Sequence, residues 1–164
     1  MNLLDLKPLL PADTIFDLRY ATANNIKGKV LYHDPVPMLE AAAANKLASA
    51  ADFFKSESLR LVIWDAYRSP EVHSQLQEVT DDQRYVLDNS NHPKGLAIDL
   101  TLADLDGNYL DMGTDFDDFT EMAHVDAANL TKEQAANRKL LIRGMKAAGF
   151  EQWPFEWWHF DYGN

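Results

Sequence analysis

Ser90-Asn91-His92-Pro93-Lys94-Gly95-Leu96-Ala97-Ile98-Asp99-Leu100-Thr101-Leu102 is the stretch on which fold and chemistry both turn. From Leu96 to Leu102, Leu96, Ile98, Leu100 and Leu102 share one face of a strand, and Ala97, Asp99 and Thr101 share the other. The Leu/Ile face belongs in a core. Asp99 projects from the opposite face, where it can enter a cleft. Pro93 and Gly95 make the residues after His92 a turn, so His92 can reach back toward Asp99. On one straight strand, residues seven apart would face opposite ways.

Upstream, Leu61-Val62-Ile63-Trp64 reads as a buried strand ending at Asp65-Ala66-Tyr67-Arg68. Ser69 has the chemistry of an N-cap, Pro70 suits the first helical position and Glu71 the first turn, which predicts a helix from Pro70 to Val79. A strand end that passes through charged residues into a helix is a common place for an active-site arginine. The Ala-rich segment from Met38 to Lys55 predicts a helix, with Leu39, Ala42, Ala43, Leu47 and Ala50 near helical spacing. The first 35 residues read as irregular or short-stranded, with Gly28, Pro35 and Pro37 as punctuation around them.

Downstream, Asp106-Gly107 signals a turn closing a hairpin with Tyr109 and Leu110. Thr131-Lys132-Glu133-Gln134 fits a capping box for a helix to Ala148, with Ala136, Leu140, Leu141, Met145 and Ala148 as its apolar stripe and Gly149 as its C′ residue. Phe150 to Tyr162 is aromatic and broken by Pro154, and Trp157-Trp158-His159-Phe160 has strand character. Hairpin signals outnumber clean βαβ units. The expected fold is α+β, a mainly antiparallel central sheet flanked by helices, in one domain over residues 1–164.

The chain carries 15 basic and 26 acidic residues among 164, a net charge of −11. That excess disfavours nucleic acid and anionic membrane surfaces, which require clustered Lys and Arg. No apolar run approaches the roughly 20 residues that span a bilayer. Met1 to Pro8 lacks a basic n-region and a long apolar h-region, so the expected location is cytoplasmic, with the periplasm left open. The absence of cysteine excludes thiolate nucleophiles and Cys-ligated zinc. Any metal site must be built from His, Asp and Glu.

Two segments can build one: Ser90 to Asp99, and Glu156-Trp157-Trp158-His159. A catalytic zinc site without sulfur uses three N/O ligands plus water. His92, Asp99 and His159 supply that set and leave Glu156 free. Glu156 and His159 would point to opposite faces of a strand, which predicts a bend around Pro154 to Trp157 with His159 on the strand proper. Taken singly, a His-x6-Asp pair is more often surface, a Trp-rich strand more often core, and Arg68 more often an ordinary ion pair. Their joint occurrence changes the balance. His33, His73 and His124 read as non-ligands, and Asp111, Asp115, Asp117 and Asp118 form an acidic cluster that is either a solvated loop or part of a site.

Asp65-Ala66-Tyr67-Arg68-Ser69-Pro70, Ser90 to Leu102, Met112-Gly113-Thr114-Asp115-Phe116-Asp117 and Glu156-Trp157-Trp158-His159 together resemble the zinc D-alanyl-D-alanine dipeptidases, the VanX-like group of the zinc D,D-peptidases, whose fold is VanX/hedgehog-like. Weaker similarity lies at Asp17-Leu18-Arg19-Tyr20 and Asn24 to Gly28. The resemblance implies one Zn2+ per chain on His92, Asp99 and His159, Glu156 as catalytic base and Arg68 as transition-state stabiliser. It implies Asp117 on the substrate's amino group and Ser90 on its carboxylate. The implied reaction is hydrolysis of the D-Ala-D-Ala dipeptide, a small-molecule substrate. The alternatives are a D,D-carboxypeptidase or L,D-endopeptidase acting on longer peptidoglycan peptides, and a zinc-stapled binding module, which would need neither Glu156 nor Arg68. The segment between Arg68 and His92 is shorter than is typical of the family, the chain stops soon after His159, and a Ser69 stands between Arg68 and Pro70. A smaller cover over the site would admit longer substrates. Oligomeric state stays open.

Overall fold

The computed structural model describes residues 1–163. The expected central strand forms as β5, Ala97–Ala103. It lies in the middle of a five-stranded sheet, between β4 (Arg60–Asp65) and β7 (His159–Tyr162), antiparallel to both. β6 (Phe150–Gln152) adds antiparallel to β7, and β2 (Ile15–Phe16) adds parallel to β4. A separate antiparallel pair joins β1 (Leu3–Asp5) to β3 (Met38–Glu40). The fold is α+β with a mainly antiparallel sheet, as the hairpin signals predict.

Three helices accompany the sheet: α1 (Ala41–Ser56), α2 (Pro70–Gln77) and α3 (Lys132–Ala147). α1 begins three residues later than its composition predicts. Met38, Leu39 and Glu40 pair with β1 instead, and the Glu40 side chain caps the helix by accepting from Ala42 N. α2 starts as expected, with the Ser69 hydroxyl accepting from Val72 N and Pro70 at the first position, and it ends two residues early at Gln77. α3 carries the full capping box between Thr131 and Gln134. Its buried stripe differs from the expected one: Arg138, Leu141, Gly144 and Met145 are buried, whereas Ala136 is exposed. Gly144 is the reason. A Cβ there would collide with the Phe53 and Phe54 rings, so its absence lets α1 and α3 approach closely and sets the rotation of α3.

β5 is buried on both faces. Ile98, Leu100 and Leu102 belong to the core, as expected. The Asp99 face is covered too. Trp64, Phe116, Trp157 and Trp158 form a chain of ring contacts with centroids 5.4–5.8 Å apart. Trp157 lines one cleft with Thr101, and Trp158 lines another with Asp99. The strand expected at Trp157-Trp158 is a turn, and β7 begins at His159. The Asp106-Gly107 turn forms, but its hairpin is a single bridge between Ala103 and Tyr109. Among the described residues no helix is long and apolar enough to cross a membrane.

Candidate active site

Register brings the candidate ligands together. Asp99 of β5 pairs directly with His159 of β7, so their side chains leave the same face of the sheet. His92 lies in a single 3-10 turn, His92–Lys94, that ends in Gly95 with φ +69°. A Cβ on Gly95 would press within 2.9 Å of Glu40 N, and Gly95 O accepts a hydrogen bond from that same nitrogen at 2.8 Å. Glycine therefore locks the turn against β3 and swings His92 back over Asp99.

The three side chains form a tight triangle. His92 Nε2 lies 3.3 Å from His159 Nδ1 and 3.2 Å from Asp99 Oδ2, and His159 Nδ1 lies 3.0 Å from Asp99 Oδ1. The donors of a tetrahedral site with bonds of about 2.0–2.1 Å are about 3.3 Å apart, so these edges fit a zinc-sized ion. The outer nitrogens are also committed. His92 Nδ1 donates to Ala66 O at 2.7 Å, and His159 Nε2 donates to Asp161 Oδ1 at 3.2 Å. In their neutral, metal-binding form both rings would therefore turn a lone pair inward, the arrangement that metal-ligating histidines adopt. Asp161 sits two residues beyond His159, hence on the same face of β7, and Asn91 donates to the same Asp161 oxygen. Burial opposes ionisation of Asp99, but attraction to His92 and hydrogen bonds from both histidines outweigh it and hold the carboxyl below its usual range. Among the described residues, these are the ones whose ligand atoms converge, and His33, His73 and His124 stand outside the group.

Glu156 lies in the bend before β7, with its Oε2 3.8 Å from His159 Nδ1. Gln152 fixes that bend, since its Nε2 reaches the carbonyls of Trp153, Glu156 and His159. Burial pushes the Glu156 carboxyl well above its ordinary value. His159 and Arg68 pull it down, while Asp99 and Asp117 push it further up.

Arg68 arrives from the end of β4. A β-bulge between Ile63 and Asp65 places Asp65, rather than Trp64, opposite Asp99. The extra residue moves Asp65 from the core face to the Asp99 face. Its Oδ2 then accepts from Arg68 Nε and NH2, both at 2.8 Å, while Tyr32 donates to its Oδ1. Arg68 NH2 is 3.5 Å from Asp99 Oδ2, and the guanidinium lies 5.1 Å from the Tyr20 ring centroid.

The acidic cluster divides. Asp111 and Asp115 are exposed, and Asp115 pairs with Arg19. Asp117 is buried at φ +58°, with its oxygens accepting from Tyr20 OH and Ile26 N, both at 3.0 Å. Burial raises its carboxyl to about 7 despite those bonds. Ser90 is buried, and its hydroxyl accepts from His92 N. All the expected site residues, His92, Asp99, His159, Glu156, Arg68, Asp117 and Ser90, line one small cavity. Tyr85, Val86 and Leu87 line it as well, so the short segment before His92 still covers the site. Tyr20, Tyr32, Asp65, Asp161 and His73 join this network without having been singled out as site residues in the sequence. Asp65 was the most legible of them, as a carboxylate at a strand end three residues before an arginine.

The Peptidase_M15 family profile, described as D-Ala-D-Ala dipeptidase, matches residues 1–164. The chain is 40% identical over 163 residues to the D-alanyl-D-alanine dipeptidase of Escherichia coli (strain K12), spanning 98% of this chain and 84% of that protein. It is 30% identical over 169 residues to the D-alanyl-D-alanine dipeptidase of Enterococcus faecalis (strain ATCC 700802 / V583), spanning 88% of this chain and 84% of that one. Among solved structures, a mutant of the vancomycin-resistance D,D-pentapeptidase VanY in complex with Zn(II) matches with a TM-score of 0.50 at 13% identity, over 93% of this chain and 82% of that chain. At that identity the likeness is one of fold.

Proposed function

The chain belongs to the D-Ala-D-Ala dipeptidase family, and from that membership and the site's geometry we propose that it hydrolyses the dipeptide D-Ala-D-Ala to D-alanine with one zinc ion per chain. The observation that carries the reading is the buried triangle of His92, Asp99 and His159 with Glu156 alongside. His92 Nε2, His159 Nδ1 and an Asp99 oxygen would hold the metal. When bound, zinc supplies a Lewis acid that polarises the scissile carbonyl and lowers the pKa of water. Glu156 takes the proton of the attacking water and returns it to the leaving amine. Arg68, held in a plane by Asp65, faces the negative charge that develops on the carbonyl oxygen. Asp117 pairs with the substrate ammonium, and Ser90 with its carboxylate. A zwitterionic dipeptide is neutral, so the acidic chain needs no basic funnel. The lack of cysteine suits the reducing cytoplasm in which we place the reaction.

Two results test this. Blocking the substrate's amino group removes the partner of Asp117, a buried charged contact worth about 1.5–3 kcal/mol. The zinc-loaded protein is therefore expected to prefer free D-Ala-D-Ala over its N-acetyl form by roughly 10–100-fold in kcat/KM. A preference for the blocked peptide would favour the longer wall peptides, and turnover of neither would end the hydrolase reading. Asp161→Ala leaves the His159 ring without its outer acceptor. Zinc affinity, measured by competition with a chromophoric chelator, is expected to fall by about 10–100-fold. Undiminished affinity would show that Asp161 does not orient the ligand.

A further inference from the structure

His73 reads as a non-ligand in sequence, and it stands outside the metal triangle. It is nonetheless buried against the most important cation of the site. Its Nδ1 lies 3.3 Å from Arg68 NH1, and its Nε2 lies 2.8 Å from Leu87 O. A carbonyl only accepts, so Nε2 carries the hydrogen. A guanidinium only donates, so Nδ1 must present its lone pair. One tautomer of neutral imidazole satisfies both contacts, and an imidazolium would aim an N–H at a cation. Burial and the charge of Arg68 hold the ring's pKa below its ordinary value, against the opposing pull of the Leu87 bond.

We propose that His73 is a positioning residue for Arg68, a role that rests on the reading of Arg68 as the oxyanion's partner. Arginine has five N–H donors in a rigid fork. Asp65 engages Nε and NH2 along one edge, and Asp99 lies near the other NH2 hydrogen. Those contacts fix one edge of the guanidinium and leave its far end, NH1, free to tilt about that edge. His73 closes that freedom by taking one NH1 hydrogen and leaves the second for substrate. Through Leu87, it ties the aim of Arg68 to the same covering segment that carries Ser90. The oxyanion contact and the substrate-carboxylate contact therefore share one support.

The test compares two variants with Arg68→Ala, whose own loss is expected at about 10²–10³-fold in kcat. His73→Leu keeps bulk and removes the acceptor. It is expected to lower kcat on D-Ala-D-Ala by about 10–100-fold with KM little changed, the scale of a misplaced catalytic group. His73→Asn restores an amide oxygen near the Nδ1 position and is expected to recover most of that loss. Wild-type kcat in His73→Leu, or no recovery in His73→Asn, would overturn the proposal. A second readout does not depend on turnover. The 15N resonances of the His73 ring in the wild-type protein are expected to show a protonated Nε2 and a bare Nδ1 between pH 6 and 8, with the Nδ1 signal moving in Arg68→Ala. A protonated Nδ1, or one indifferent to Arg68, would overturn it as well. If the wild-type protein failed to hydrolyse D-Ala-D-Ala, the functional reading would fall, and the ring resonances would still decide whether His73 orients Arg68.

Discussion

Glu156→Gln is expected to lower kcat on D-Ala-D-Ala by about 10²–10⁴-fold, the range for loss of a general base, while the protein still binds one zinc per chain. Glutamine matches glutamate in size, so the bend held by Gln152 and the burial of Trp157 and Trp158 should survive the change. Its amide cannot take a proton from water. The expected separation of activity from metal binding follows from geometry, because Glu156 Oε2 stands 3.8 Å from the inward nitrogen of His159 and so beside the triangle rather than in it. Burial makes the carboxylate a stronger proton acceptor than an exposed glutamate, since it raises the pKa of the conjugate acid. Turnover at the wild-type rate would remove Glu156 from the mechanism. Loss of zinc together with activity would make it a ligand instead. Steady-state kinetics alongside metal analysis of the purified variant distinguishes these results.

The parts of this site that were legible in the sequence are those governed by local rules. Alternation along Leu96 to Leu102 gave Asp99 its face, Pro93 and Gly95 gave the turn that returns His92, and the three-residue spacing of Glu156 and His159 required the bend that the structure contains. What stayed hidden depends on pairing between distant segments. Nothing in Ile63-Trp64-Asp65 announces a bulge, yet that one extra residue turns Asp65 to face Arg68. Met38 to Glu40 have helical company in sequence, but the backbone of β1 offers them hydrogen bonds, and a strand wins. The apolar stripe of α3 shifted because Gly144 contributes by what it lacks, and buried Arg138 satisfies its guanidinium on the carbonyls of Met112, Met122 and His124. Asp117 shows the same limit. The other acids of its cluster are exposed or half-buried, and only the approach of Tyr20 and Ile26 sets it apart.

Removing zinc with a chelator is expected to reduce D-Ala-D-Ala hydrolysis to background and to leave the fold standing. The core explains the second half. A continuous apolar cluster extends from Leu6 to Phe160 and includes residues of α1, β4, β5 and α3, and a chain of this length needs no metal merely to fold. Without an ion, a proton taken up at His159 Nδ1 lets that ring donate to Asp99 Oδ1 and keeps the triangle paired. The stability lost is then only the linkage contribution, about 2.7 kcal/mol at a metal concentration 100 times Kd, or a fall in Tm of about 5–11 °C. Adding zinc back is expected to restore the full rate. Cobalt should also restore activity, because it accepts the same imidazole and carboxylate donors, whereas magnesium should not, because it prefers an octahedral shell of oxygens. Activity that survived exhaustive chelation would refute the metal mechanism. Unfolding on chelation would assign the triangle a structural role and revive the reading of a zinc-stapled binding module. Circular dichroism run beside the rate assay separates the two failures.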